Sequence, residues 1–114
     1  MSFLSDKDRV NLEAILLAAS KIEIFIKGIY NHKQFYEDEK TFDSVLMNFV
    51  IIGESVARLS GEFKMSQPSI PWNKIKAFRN FVAHNYFGLD SEEIWQLTQS
   101  HLPQLKEEAK KILE

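Results

Sequence analysis

The segment VLMNFVII, residues 45–52, most restricts what this chain can fold into. Seven of its eight residues are apolar, and Asn48 is the exception. The segment lies inside a predicted helix that runs from about Glu39 to Leu59. A helix that is apolar on most of its circumference must be covered on more than one side, by its own bundle or by a second subunit. The segment therefore predicts a helical bundle and favours a dimer.

A second long helix is predicted near the start of the chain, from about Asp6 to Ile29. Ser5 precedes it as an N-cap, and Asp8 stands three residues later, where a capping box places an acidic side chain. Its apolar residues recur at three- and four-residue spacing and predict a single buried stripe. The stripe consists of Val10, Ile15, Ala18, Ile22, Phe25, Ile26 and Ile29.

The polar stretch 31–40 between these two helices predicts a loop or a short helical turn. Gly61 stands where a residue with positive φ is expected to end the helix of residues 39–59. Pro71 suits the first turn of a third helix, which should run from Trp72 to about Tyr86. Trp72 is expected in the core.

Two further helices are predicted towards the C-terminus. Gly88 should end the third helix, and Asp90 with Glu93 forms a candidate capping box for a fourth over residues 91–100. Trp95 on this fourth helix is expected in the core. Pro103 should break or kink it and leave residues 103–114 as a fifth helix. The pattern predicts an all-α, up-and-down bundle of four to five helices.

Composition limits the alternatives. A chain of 114 residues fits one domain, residues 1–114, and the absence of cysteine excludes disulfides and thiolate metal sites. The net charge of −2 argues against a broad nucleic-acid-binding surface, although a local basic cleft is compatible with it. Neither a signal peptide nor a membrane-spanning apolar run is evident, so we expect a cytoplasmic protein without membrane attachment.

The third helix carries the polar residues that most resemble a site. Ile75 shares a predicted buried face with Phe78, Phe81 and Val82, whereas Arg79, Asn80 and His84 lie on the opposite side. A polar helix face is more often simply solvated, so periodicity alone does not decide between a site and a surface. Glu54 follows the most apolar run in the chain and needs a partner, for which Arg79 is a candidate. His32 and His101 are read as surface residues.

Several motifs together resemble a known family. IGESVARLS at 52–60, IPW at 70–72 and RNFVAHNYF at 79–87, followed by Asp90 and Trp95, closely resemble the HepT-like family of the HEPN superfamily. The most specific element is an arginine, four intervening residues, a histidine, one residue and a tyrosine, here Arg79, His84 and Tyr86. The resemblance spans nearly the whole chain.

The resemblance implies a dimeric all-α ribonuclease that is the toxin of a toxin–antitoxin pair. The usual antitoxin is a minimal nucleotidyltransferase (MNT), which transfers AMP from ATP to the motif tyrosine, here Tyr86, and silences the toxin. Some HEPN proteins have non-catalytic roles. The alternative is therefore a helical subunit that binds nucleotide or docks its partner without cleaving RNA.

The chemistry of RNA cleavage suits these residue types. His84 can transfer protons near neutral pH, Arg79 can stabilise charge on the phosphate, and Asn80 can orient either group. One histidine does not readily serve as acid and base in the same turnover, so a twofold dimer with this helix at its interface is expected to complete the site. Lys64, Lys74 and Lys76 are candidate contacts to the RNA backbone. Because no metal-ligand spacing occurs, we predict no required metal and no cofactor.

Overall fold

A computed structural model of the chain describes residues 4–76 and 91–114. The described part is helical, contains no strand, and confirms the predicted all-α class. Residues 72–76 are helical as well. The helices are α1 (Asp6–Phe25), α2 (His32–Glu37), α3 (Glu39–Arg58), α4 (Gly61–Met65), α5 (Ser91–Gln99) and α6 (His101–Leu113).

One hydrophobic core joins these helices. α1 packs against α3 and α6, α2 packs against α3 and α5, and α5 also contacts α6. Asn48, the polar exception in the apolar run of α3, is buried and donates from Nδ2 to the main-chain oxygen of Ser44 at 2.8 Å. This bond satisfies a polar group that would otherwise destabilise the core. The largest fully buried side chains include Leu12, Ile15, Ile22, Phe35, Val45, Ile52, Val56, Ile94 and Leu102.

The buried face of α1 differs from the predicted stripe at two positions. Val10 is 62% exposed and Phe25 is 37% exposed, whereas Leu12 and Ala19 are fully buried. On a helical wheel Val10 lies on the side opposite Ile15, because five residues correspond to about 140°. The prediction was therefore wrong for Val10. α1 carries apolar residues on two faces, only one of which belongs to the core.

Two glycines near helix ends differ in conformation, and of the two only Gly61 is predicted from the sequence to end a helix. Gly28 has a φ of +85° and follows the end of α1, so α1 stops at Phe25 instead of continuing to Ile29. Gly61 has no positive φ and begins α4, whose N-cap is Ser60. The expectation that Gly61 ends α3 in the left-handed region is therefore wrong. The predicted end of α3 is nevertheless correct to within one residue.

The break near Pro103 lies earlier than expected. α5 ends at Gln99 and α6 begins at His101, so Pro103 occupies the first turn of α6, where its missing N–H costs no helical hydrogen bond. The polar stretch 31–40 contains α2, which confirms the short helical turn. The capping role predicted for Asp90 lies outside the described residues.

Asp8 links the starts of two helices. Ser5 caps α1 as predicted, because its Oγ accepts from the N–H of Asp8 at 3.1 Å. The Asp8 carboxylate does not complete a capping box but accepts from Ser60, at 2.8 Å from N–H and 2.7 Å from Oγ–H. Ser60 Oγ in turn accepts from the N–H of Phe63 at 3.1 Å. Burial raises the pKa of Asp8, but the hydrogen bonds from Ser60 and Ser5 outweigh it and hold the pKa below its ordinary value.

Asp8→Asn is expected to lower the free energy of unfolding by about 1–3 kcal/mol at about pH 7, because Ser60 donates to both carboxylate oxygens and the amide nitrogen that replaces one of them cannot accept. Because the pKa of Asp8 is lowered on folding, its carboxylate contributes fully to the free energy of unfolding above the unfolded-state pKa of 3.8. That contribution is lost as the pH falls through the lower folded-state pKa. Urea denaturation should therefore show the largest difference from wild type near neutral pH and a shrinking difference below about pH 4.

Asp6→Asn is the matched control, because Asp6 is an exposed acid in the same first turn. Equal losses in the two variants would show that the first-turn charge, and not the contact with Ser60, stabilises the fold.

Candidate functional site

The residues predicted for catalysis and modification, Arg79, Asn80, His84 and Tyr86, lie outside the described residues. The described residues include the helical segment 72–76, which precedes them in the chain, the helix that carries Glu54, and the two C-terminal helices. The contacts of these elements show what holds segment 72–76 in place and which charged side chains it carries.

Trp72 fixes the helical segment 72–76, which precedes the predicted site in the chain. Its side chain is buried, and its Nε1 donates to the main-chain oxygens of Lys64 and Gln67, at 3.1 Å each. Its ring centre lies 6.0 Å from that of Phe63 on α4. The N–H of Ile75 bonds the Pro71 oxygen at 3.2 Å, so Pro71 precedes the first turn instead of occupying it. The segment that leads to residue 77 is thus fixed to α4 by packing and by directed hydrogen bonds, and Trp72, like Trp95, is in the core as predicted.

Glu54 lies in the last turns of α3 and is half-buried, beside the buried Gly53. Its predicted partner Arg79 lies outside the described residues, so that ion pair stays a prediction. Met47 and Ile51 share the outer face of α3 with Glu54, at helical spacing, and are 61% and 38% exposed. These two members of the apolar run are therefore exposed. The buried apolar members of the same run are Val45, Leu46, Phe49 and Ile52.

The three lysines named as RNA contacts differ in their surroundings. Lys74 and Lys76 are exposed on the helical segment 72–76. Lys64 is half-buried, and its Nζ donates to the main-chain oxygen of Val56 at 3.4 Å. Lys74 and Lys76 are therefore the two ammonium groups better placed to meet a phosphate close to the predicted site.

A cavity of about 450 Å³ opens between α3, the helical segment 72–76, α5 and α6. Lys74, Glu93 and His101 contribute charged or titratable groups to its wall. Six of the eleven described lining residues are apolar, and Gln96 and Ser100 add neutral polar side chains to the three charged or titratable ones. The described lining residues are Phe49, Ile52, Lys74, Ile75, Glu93, Gln96, Leu97, Ser100, His101, Leu102 and Leu105.

The two other histidines are not equivalent. His32 is exposed at the start of α2, as predicted. His101 was predicted to be a surface residue but is half-buried in the cavity wall, with its Nδ1 3.4 Å from Ser100 Oγ. His101 lies here because α6 begins at His101, two residues before Pro103. The position of the proline predicted a later start for this helix.

Within residues 4–76 and 91–114, no three His, Asp or Glu side chains are grouped closely enough to bind a metal ion. None of the helices formed by these residues has the length and apolar character needed to cross a bilayer.

Comparison with protein families identifies the chain. The model of the family described as ribonuclease HepT-like matches residues 15–112. The chain belongs to the HepT-like ribonuclease family. The match includes α3, the helical segment 72–76, the Arg79 to Tyr86 motif, α5 and nearly all of α6.

Individual relatives agree with the HepT-like assignment. The chain is 34% identical over 101 residues to the "Probable ribonuclease HepT" of Thermococcus cleftensis. The aligned residues make up 89% of this chain and 91% of the relative. The chain is 31% identical over 106 residues to "Putative RNase TTE0752" of Caldanaerobacter subterraneus subsp. tengcongensis, covering 93% and 94%. "Putative RNase MJ1380" of Methanocaldococcus jannaschii is 29% identical over 94 residues, covering 82% and 85%. No solved structure matches this chain.

Proposed function

We propose that this protein is a metal-independent endoribonuclease and the toxin of a toxin–antitoxin pair. The observation that carries the proposal is membership of the HepT-like ribonuclease family in a chain that contains the Arg79, His84 and Tyr86 motif. RNA is the substrate, and no metal or cofactor takes part in the reaction. A cytoplasmic location, where RNA and ATP occur together, fits this function.

The cleavage uses the 2′-hydroxyl of the ribose as its nucleophile. That oxygen attacks the adjacent phosphorus, the bond from phosphorus to the 5′-oxygen breaks, and a proton must leave the 2′-oxygen and reach the departing 5′-oxygen. His84 transfers protons, and Arg79 stabilises the charge that develops on the phosphate oxygens. Asn80 orients His84 or the scissile phosphate by hydrogen bonding. Glu54 is the supporting carboxylate that holds the guanidinium of Arg79. Lys74 and Lys76 guide the RNA backbone to this centre.

The active form is a homodimer with two copies of the motif helix in one cleft. Two histidines then supply the base and the acid that a single His84 does not readily combine. The exposure of Met47 and Ile51 on the outer face of α3, beside Glu54, supports this arrangement, because large apolar side chains on one surface favour a subunit contact.

Control of the toxin acts through Tyr86. The MNT partner transfers AMP from ATP to the tyrosine oxygen, with release of pyrophosphate and of the phenolic proton. The attached AMP adds bulk and negative charge two residues from His84, where both oppose an incoming RNA phosphate.

The function is tested with the purified dimer and a broad set of RNAs in the presence of EDTA. Wild-type protein is expected to cut RNA, and incubation with the MNT partner and ATP should abolish cleavage and add AMP, detected by mass spectrometry. Tyr86→Phe should still cut RNA after the same treatment, because it lacks the acceptor oxygen. Loss of cleavage with EDTA would contradict the metal-independent mechanism, and silencing of Tyr86→Phe would contradict this acceptor.

The second candidate function is a non-catalytic subunit that binds nucleotide or docks a partner. The cavity of about 450 Å³ is the observation that favours this function, because its apolar lining fits a base and Lys74 fits a phosphate. Absence of cleavage by folded wild-type dimer on every RNA tested, together with measurable nucleotide binding, would favour this function over the ribonuclease.

A further inference from the structure

The outer face of α1 presents a line of exposed apolar residues. Val10, Leu17 and Ile24 are 62%, 58% and 65% exposed. They are spaced by seven residues, so they lie nearly in line along the helix, opposite the residues that α1 contributes to the core. Branched apolar side chains repeated in this way on a surface are typical of a helix that packs against another helix.

The sequence of this outer face is complementary to itself when α1 is reversed. A twofold axis at Leu17 places Val10, seven residues before it, at the level of Ile24 of a second copy, seven residues after it. The same axis brings Glu13 level with Lys21, each four residues from Leu17. The pairing therefore matches apolar with apolar and acidic with basic residues, and the symmetry repeats each pair.

The charged pair is available for such a contact. Glu13 and Lys21 are both exposed. Neither has an ion-pair partner among the described residues. In a parallel arrangement Glu13 would instead meet Glu13 and Lys21 would meet Lys21, which places like charges together.

We propose that α1 forms a second, antiparallel interface with α1 of another copy of this chain, centred on Leu17. The interface is separate from the proposed site dimer, because α1 and α3 pack together through their buried faces and their outer faces point away from that shared core. Each protomer then has two isologous contacts, which join site dimers into a larger assembly. The inference does not depend on RNA cleavage.

Cysteine cross-linking tests the direction of pairing, because the chain has no cysteine of its own. Leu17→Cys should link to itself under mild oxidation, since it lies on the axis. Val10→Cys should not, because a rise of 1.5 Å per residue separates its two copies by about 21 Å, whereas a disulfide needs Cα atoms within about 7 Å. Val10→Cys mixed with Ile24→Cys should give the mixed disulfide. Met65→Cys, exposed on α4, is the control for random collision.

Charge exchange tests the same interface without oxidation. Glu13→Lys or Lys21→Glu alone should lower the mass of the assembly in sedimentation, and the double exchange should restore it. Self-linking of Val10→Cys would show parallel pairing and overturn the proposal. No more linking of Leu17→Cys than of Met65→Cys would show that another partner, or none, covers this face, and would overturn it as well.

Discussion

His84→Ala is expected to lower the rate constant of RNA cleavage by at least about a hundredfold, since positioned proton transfer contributes about 10²–10⁴-fold to catalysis. Arg79→Ala should have an effect of at least similar size, because removal of one donor to developing charge costs about 10²–10³-fold. Both residues are predicted on the polar side of their helix, away from Ile75 and Phe78, so neither change should remove core packing. Single-turnover cleavage of a labelled RNA in EDTA measures both effects.

His32→Ala is the matched control for the loss of an imidazole. His32 is exposed at the start of α2, far along the chain from the motif, and its replacement should leave the cleavage rate unchanged. Each variant is first shown to have wild-type helical content and mass. Equal cleavage by His84→Ala and wild type would contradict the assignment of the motif and would direct attention to a contaminating nuclease or another site.

The parts of the fold that the sequence predicted well are those with local causes. The bounds predicted for α3 agree with the structure at its start and to one residue at its end. Asp38 caps its start by accepting from the N–H of Thr41 at 3.1 Å, and the apolar run fixes its buried face. Such signals lie within a few residues of the feature they determine.

One feature that the sequence did not predict depends on a distant part of the chain. Asp8 was read as half of a capping box, but its carboxylate bonds Ser60, 52 positions away, and no spacing rule within α1 indicates this. Val10 is a different case, because the helical wheel of α1 already places it about 140° from Ile15, and the structure leaves it exposed while Leu12 and Ala19 are buried.

The candidate site is predicted from residue types, their order and the family resemblance, and the structure describes only its surroundings. The assignment of Arg79, His84 and Tyr86 stays a prediction. Nothing in the sequence indicated that His101 lines a cavity together with Lys74, or that Lys64 bonds the main chain of α3. Side-chain surroundings of this kind depend on contacts between different helices.

Phe35→Ala is expected to lower the free energy of unfolding by about 3–5 kcal/mol, as is typical when a buried aromatic side chain is truncated. Phe35 is fully buried, and its ring centre lies 5.0 Å from that of Phe42 and 5.6 Å from that of Trp95. It is also the buried residue of α2, a helix of six residues that is too short to be stable alone. Its removal should therefore detach α2 from α3 and α5, and urea denaturation followed by circular dichroism measures the loss.

Tyr30→Ala is the matched control, because it removes an aromatic side chain of similar size that is 81% exposed just before α2. Its effect on the free energy of unfolding should stay within about 0.5 kcal/mol. Since domains of this size are stable by about 5–15 kcal/mol, the loss of Phe35 alone removes a large part of the total. Losses of equal size at Tyr30 and Phe35 would show that α2 is held by its sequence context and not by the contact of Phe35 with Phe42 and Trp95.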